Sequence, residues 1–338
     1  MKVAFFDTHA FEKPIFTTQN ESFKFELDFL ETRLNSSTAS LAKGCKVVCS
    51  FVNDKIDRKC IEALNEIGVQ LIALRSAGFN HVDLEAAQSN SLIIARVPGY
   101  SPHAVAEYTI GLLLSLNRKI HKSYLRVREL NFSLDGLVGF DLCGKTVGIL
   151  GTGKIGSIVA EILSAFGCRV LCNDQFPSPK LKEHAQIQYV DCEKLCRESD
   201  VISLHVPLTP ETHHILNEKM ISHMKKGVFI INTGRGALID SKALISALKS
   251  GHVGGAALDV YEEEEAVFFQ DVSDKVLQDD TLARLLTFPN VLISSHQAFL
   301  TKEALVNIAQ TTLENIAAFQ KTGTVPSERL VIPESHLK

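Results

Sequence analysis

The chain has 338 residues, 45% of them apolar and 22% charged, a composition that suits two folded domains and excludes a disordered chain. A formal net charge of −4 speaks against a dedicated nucleic-acid binder, which carries a basic face. No stretch approaches ~20 uninterrupted apolar residues, so no membrane span is expected.

Asp7 and Glu12 interrupt the apolar start too early for a secretory leader. A cytoplasmic protein is therefore expected, with its eight cysteines kept as thiols. Three pairs share C-x3-C spacing: Cys45 with Cys49, Cys168 with Cys172, and Cys192 with Cys196. None has the spacing of a zinc site, and no metal is expected.

Short apolar runs recur from the start: VAFFD (3–7), VVCSF (47–51), LIALRSAG (71–78) and LIIARVP (92–98). Such runs suit buried parallel strands. Between them lie helical segments such as DRKCIEALNEIG, which closes on Gly68 as a C′ residue. One long helix is expected from Ser101 to about Glu129, with Ser101 as cap and Pro102 in the first position. It would span about 40 Å and suits a connecting or subunit-interface role.

A second series follows the loop NFSLDGLVGFDLCGK, with strands TVGIL, RVLCND, VISLHVP, GVFIINT, GGAALDV and NVLISS. Alternation of this kind predicts an α/β protein with two doubly wound parallel sheets. The boundary between the series falls near residue 100.

The second series opens on a dinucleotide signature. Strand TVGIL runs into Gly151-Thr152-Gly153-Lys154-Ile155-Gly156, and an apolar helix follows. Gly151 permits the tight turn, Gly153 lets a pyrophosphate approach the backbone, and Gly156 lets helix and strand pack closely. The helix N-terminus offers N–H donors to the phosphates. The next strand ends at Asp174, where a carboxylate accepts from ribose hydroxyls and repels a 2′-phosphate. NAD is thus favoured over NADP.

In open α/β sheets ligands bind beyond the carboxyl ends of the strands. Three strands of the second series end on chemistry-bearing residues. INTGRG places Thr233 at a strand end and Arg235 just past it, DVYEEEE follows Asp259, and NVLISSHQ puts His296 at a tip. A 2-oxo acid presents a carboxylate that the planar donors of Arg can grip. Hydride addition leaves negative charge on its carbonyl oxygen, which His can protonate near neutral pH. A carboxylate beside that His favours the imidazolium. His121 and His213-His214 are read as structural.

These residues carry a resemblance to the NAD-dependent D-2-hydroxyacid dehydrogenases, above all to their fermentative D-lactate branch. It runs through RVPGYSPHAVAEY, GKTVGILGTGKIG, SDVISLHVPLTPET, INTGRGALID, DVYEEEE and SSHQAFLTKEAL, and VFFQDVSDKVLQDD is its most specific part. The resemblance implies reversible reduction of pyruvate to D-lactate. The family's catalytic groups fall on Arg235, Glu264 and His296, Glu264 being the second glutamate of D-V-Y-E-x-E.

Lys154, Ile155, Asp174, Val206, Pro207, Thr212, Thr233, Gly234, Arg235, Asp259 and His296 match cofactor positions. Ala77 and Gly78 (through N–H groups), Tyr100, Phe299 and Phe51 match substrate positions. Glu262, Glu263 and Glu265 are expected to face water. The resemblance also implies a discontinuous substrate domain, 1–100 plus 299–338, around an NAD domain at 101–298, with the active site in the cleft between them. It implies a homo-oligomer, dimer or tetramer, paired through the cofactor domains.

Three positions depart from the commoner pattern: Gly234 for Ser, Glu263 for Gly or Asn, and Ser295 for Gly or Pro. The rival activities are reduction of a bulkier 2-oxo acid and, on the same fold, a non-enzymatic NAD-sensing corepressor.

Overall fold

The computed structural model describes residues 1–264 and 267–333. The chain divides into two compact units, Met1–Ser101 with Leu300–Lys338, and Pro102–Phe299. No helix among the described residues is long and apolar enough to cross a membrane.

The first unit is built from β1 (Lys2–Phe5), α1 (Lys13–Asn20), β2 (Glu26–Phe29), β3 (Val47–Ser50), α2 (Arg58–Glu66), β4 (Leu71–Leu74), α3 (Leu84–Ser89) and β5 (Ile93–Ala95). Strands β3 and β4 are buried at every position, which is why they read as unbroken apolar runs rather than alternating ones. Helix α2 starts where Asp57 accepts from the Cys60 N–H, and Gly68 follows its end at φ +86°.

The last helix, α12 (Lys302–Thr322), and the short β13 (Leu330–Val331) complete this unit. Thr301 caps α12 through the Ala304 N–H, and the helix packs on α1 and β4. The sheet order is β13-β5-β4-β3-β1-β2. All its pairs are parallel except β13, which runs antiparallel to β5. Strand order therefore reverses at β1, as in flavodoxin-like sheets.

A buried charge pair sits at that reversal. Arg75, just past β4, is 2% exposed. It grips Glu12 with Nε (3.0 Å) and Nη2 (2.8 Å) and donates to the carbonyls of Phe6 and Asp7 at 3.0 and 2.9 Å. The Arg75 guanidinium also lies 4.9 Å from the Phe51 ring centroid. A desolvated guanidinium is tolerable only with donors satisfied in this way. The pair therefore fixes the segments that leave β1 and β4.

The second unit runs α4 (Pro102–Arg118), α5 (Ile120–Arg128), β6 (Thr146–Leu150), α6 (Lys154–Ala165), β7 (Arg169–Asn173), α7 (Pro179–Lys182), β8 (Ile187–Tyr189), α8 (Cys192–Glu198), β9 (Val201–Leu204), α9 (Glu218–Ser222), β10 (Val228–Asn232), α10 (Ser241–Lys249), β11 (Val253–Leu258), α11 (Asp280–Leu286) and β12 (Val291–Ile293). Its strands pair in parallel in the order β12-β11-β10-β9-β6-β7-β8. Each face has its own core. Val147, Ile149, Val170 and Ile231 join the α4 and α6 side, and their neighbours Leu150, Leu171 and Ile230 join the other. That alternation follows from the two-residue period of a strand.

The expected single helix from Ser101 to Glu129 is two helices. Lys119 breaks it with φ +52°. The returning loop causes the break: Asn117 donates to the Phe140 carbonyl at 2.7 Å and accepts its N–H at 2.9 Å, while Lys119 Nζ donates to the Val138 carbonyl. These contacts occupy the end of α4 and turn the chain. Strands β2, β8 and β13 were not expected; β2 and β8 lie at sheet edges, and β13 is two residues long.

Removing one partner of a buried ion pair strands the other charge, at a cost of about 3–5 kcal/mol. Glu12→Ala should lower the unfolding free energy by that order, read from the shifted midpoint of chemical unfolding.

Candidate functional site

The glycine turn after β6 stands where the order of the second sheet reverses, between β6 and β9. Gly151 has φ +92°, and a Cβ there would meet the backbone of His205 and Val206 at 2.6 Å. A Cβ on Gly156 would stand 1.9 Å from the Gly151 carbonyl oxygen, so only glycine lets α6 start this close to β6. At Gly153 nothing lies within 4 Å, and Gly153 is the N-cap of α6, without a side-chain cap. Lys154 and Ile155 follow as its first residues. An open backbone at a helix N-terminus is what an anionic pyrophosphate needs.

Asp174 follows β7 and is bound into this turn. Its Oδ2 accepts from Thr152 N (2.5 Å) and Thr152 Oγ1 (3.1 Å), and its Oδ1 accepts from Phe176 N (2.7 Å). Tyr189 supports the same corner, its hydroxyl donating to Thr152 Oγ1 at 2.8 Å. Beyond β9, Val206 and Pro207 open a loop closed by Thr212, whose hydroxyl donates to the Pro207 carbonyl at 2.6 Å and accepts the Thr209 N–H at 2.8 Å. Enclosure of the imidazole pushes the His205 pKa down to about 4, so that ring is neutral at physiological pH. Ser203 Oγ lies 2.8 Å from its Nε2.

The three strand ends come together in this unit. Past β10, Asn232 builds the turn: its Oδ1 accepts the Gly234 N–H at 3.0 Å and its Nδ2 donates to the Arg235 carbonyl at 2.8 Å. Thr233 and Thr109 hydroxyls are 2.8 Å apart. Since Thr109 donates to the Val105 carbonyl, Thr233 is the donor of that pair. Arg235 Nη1 donates to the Gly234 carbonyl at 2.8 Å. At Gly234 a Cβ would lie 3.3 Å from the Leu204 carbonyl, so a serine there would fit with a small shift.

Past β11, Asp259 is wholly buried. Its Oδ1 accepts from Ser294 Oγ (2.7 Å) and Gln297 N (2.9 Å), and its Oδ2 from Ala298 N (2.9 Å). Its carbonyl accepts the His296 N–H at 2.7 Å. These bonds close the turn that holds His296 at φ +50°, a left-handed conformation unusual for a residue with a side chain. His296 Nδ1 and Glu264 Oε1 are 2.6 Å apart, with side chains 21% and 17% exposed. Glu264 Oε2 accepts the Tyr261 N–H at 2.9 Å, which fixes the carboxylate while the other oxygen faces the ring.

Of the neighbouring glutamates, Glu263 is exposed as expected, and Glu265 lies outside the described residues. Glu262, expected to face water, instead has Oε1 2.6 Å from His214 Nε2 and accepts from Ser241 Oγ at 3.1 Å. A glutamate run gives no hint of partners 21 and 48 positions away, at the start of α10 and in the loop after β9.

Other candidates lie in the first unit. Ala77 and Gly78 follow β4, where Gly78 O accepts from Ser76 Oγ (2.7 Å) and Ala77 O from Arg96 Nη1 (3.3 Å). Phe51 is buried, edge-on to His9 at 5.3 Å between centroids. The Tyr100 carbonyl accepts from Asn307 Nδ2 at 2.6 Å. Phe299 closes the second unit. Sequence reasoning missed the supports: Asn232, Ser294, Tyr189 and the Arg75–Glu12 pair. Only the position of Asn232 and Ser294 at strand tips could have signalled them.

Sheet order, glycine turn and the acid after β7 define a dinucleotide-binding domain of the doubly wound class. Residues 110–298 match the family described as D-isomer specific 2-hydroxyacid dehydrogenase, NAD binding domain. The chain is 53% identical over 328 residues to 2-hydroxyacid dehydrogenase homolog 1 of Schizosaccharomyces pombe, covering 97% of this chain and 98% of that one. It is 52% identical over 328 residues to the D-lactate dehydrogenase of Escherichia coli, covering 97% and 99%. The solved apo-structure of D-lactate dehydrogenase from Escherichia coli matches with a TM-score of 0.89 at 49% identity, covering 98% and 100%. The chain belongs to the D-isomer-specific 2-hydroxyacid dehydrogenases. It is an NAD-linked oxidoreductase.

The glycines separate fold from binding. Gly156→Ala should lower the melting temperature, because its Cβ meets backbone. Gly153→Ala should leave melting nearly unchanged and weaken NADH binding in a fluorescence titration.

Proposed function

We propose that the protein reversibly reduces pyruvate to D-lactate with NADH. The observation that carries this reading is the His296–Glu264 pair at 2.6 Å, in the unit that bears the dinucleotide turn. Relatives that are named D-lactate dehydrogenase and match along nearly the whole chain support the choice of substrate.

The nicotinamide, when bound, supplies or accepts the hydride. His296, with Nδ1 engaged by Glu264, gives a proton from Nε2 to the carbonyl oxygen as negative charge builds there, and recovers it in the reverse direction. Glu264 favours the imidazolium and sets the ring's rotation. Arg235 has Nη1 on its neighbour's carbonyl, so Nε and Nη2 are the donors for a substrate carboxylate. The roles given to Ala77, Gly78, Tyr100, Phe51 and Phe299 in substrate contact, and to Asp174, Thr212, Thr233 and Gly234 in cofactor contact, rest on the family resemblance. A placed acid of this type contributes roughly 10²–10⁴-fold in rate.

Pairing through the cofactor unit also belongs to this reading. Helix α5 has no buried residue, and Leu125, Leu130, Phe132 and Leu134 are 57%, 79%, 68% and 79% exposed. Apolar surface gathered in this way marks an association face.

Steady-state kinetics with pyruvate, 2-oxoisocaproate and phenylpyruvate should rank pyruvate first in kcat/KM. A large preference for either bulky acid would refute the lactate reading, and NADH binding without any oxidation would favour a sensor. His296→Ala should lower mainly kcat, by roughly 10²–10⁴-fold, whereas Arg235→Lys should also raise KM.

A further inference from the structure

Three separated segments of the second unit meet beside the turn that carries Glu264. His214 N donates to the Ala237 carbonyl at 2.8 Å, Leu216 N to that of Leu238 at 3.1 Å, and Asp240 N to that of Leu216 at 3.1 Å. This short parallel bridge lays 214–216 along 237–240. Gly236 then presses on the chain past β11: a Cβ there would stand 2.1 Å from the Tyr261 carbonyl and 2.4 Å from the Glu262 nitrogen. Only glycine permits this approach. The backbone thereby brings together His213, His214 and Glu262, whose ligand atoms all lie within 4.8 Å of one another.

An ion pair accounts for one of these histidines and leaves the other unexplained. His214 Nε2 lies 2.6 Å from Glu262 Oε1. The His213 ring lies against that of His214, with centroids 3.9 Å apart and planes at 29°. Two protonated imidazoles so close would repel each other. Two neutral imidazoles and one carboxylate are instead the donor set of a divalent transition ion. His214 is held for this placement at φ +50°, a conformation that persists only where its surroundings enforce it.

We propose that His213, His214 and Glu262 form a zinc-class site: two imidazole nitrogens, one carboxylate oxygen and a fourth position open to water. With bonds of about 2.0–2.1 Å, tetrahedral donors stand about 3.3 Å apart, so the His214–Glu262 pair at 2.6 Å opens by about 0.7 Å to admit the ion, and His213 offers its nitrogen within 4.8 Å of both. The incoming ion replaces the His214–Glu262 hydrogen bond with two metal–ligand bonds. Ser241 Oγ, donating to Glu262 Oε2 at 3.1 Å, orients the carboxylate so that Oε1 ligates. Imidazole donors disfavour Mg²⁺ and Ca²⁺, which take oxygen ligands. His213 is exposed, so the ion enters from solvent. Once bound, it ties the loop after β9 to the turn after β11.

Tag-free protein, freed of metal with a chelator, is titrated with Zn²⁺ against a chromophoric competitor and, separately, with Co²⁺. The wild-type chain should bind one Zn²⁺ that Mg²⁺ does not displace, and give the intense visible absorption of four-coordinate Co²⁺. His213→Ala and Glu262→Gln should each weaken Zn²⁺ by more than about tenfold and bleach that absorption, and Ser241→Ala should cost about tenfold. His184→Ala, an exposed histidine outside the cluster, should change nothing. Loss of the exposed His213 ring should leave melting unchanged, so weaker binding in that variant cannot be put down to misfolding. The proposal is overturned if the wild type binds no Zn²⁺, if binding survives in both variants, or if Co²⁺ shows a thiolate charge-transfer band that marks cysteine ligation.

Discussion

The site depends on one buried carboxylate. Asp259 has no solvent exposure, and an ionised group in that position is costly unless it is hydrogen-bonded. Ser294 Oγ and the N–H groups of Gln297 and Ala298 satisfy it. The same bonds bend the chain past β12 into the turn that presents His296. The Asp259 main chain links onward as well, with its N–H on the Asn232 carbonyl and its carbonyl on the His296 N–H. One residue at the tip of β11 thus joins the strand ends that carry Arg235 and His296, and the chain that continues from it carries Glu264.

Each unit repeats this logic in its own terms. In the first, the desolvated Arg75–Glu12 pair fixes the segments leaving β1 and β4. In the second, the absence of side chains at Gly151 and Gly156 lets a helix start against a strand, and Asp174 is drawn into the turn by Thr152. Parallel sheets bring strand tips to one edge, and buried polar groups then set where each tip points. The conformational cost of His296 at φ +50° is borne by those surrounding bonds.

Much of this was legible in the amino-acid sequence because it rests on local pattern. Fully buried strands such as β3, β4 and β9 read as apolar runs, and the glycine spacing states the turn it makes. The residues at strand tips could be named one by one. Their supports could not, because a polar residue inside an apolar run carries no mark of its partner. Arg75 and Glu12 are 63 positions apart, and Glu262 meets a histidine 48 positions away. Edge strands β2 and β8 lack a continuous apolar run, and the break at Lys119 comes from a loop that returns to the helix end and bonds Phe140 to Asn117. Local propensity favours helix through that point, and tertiary contact overrides it.

The central claim is that Glu264 holds the His296 imidazolium while His296 gives up its proton. The most direct test is the steady-state kinetics of pyruvate reduction in the wild type and in Glu264→Gln. Removing the carboxylate that holds the ring at 2.6 Å should lower kcat by more than about tenfold while KM and melting temperature are preserved. An unchanged kcat would contradict the account.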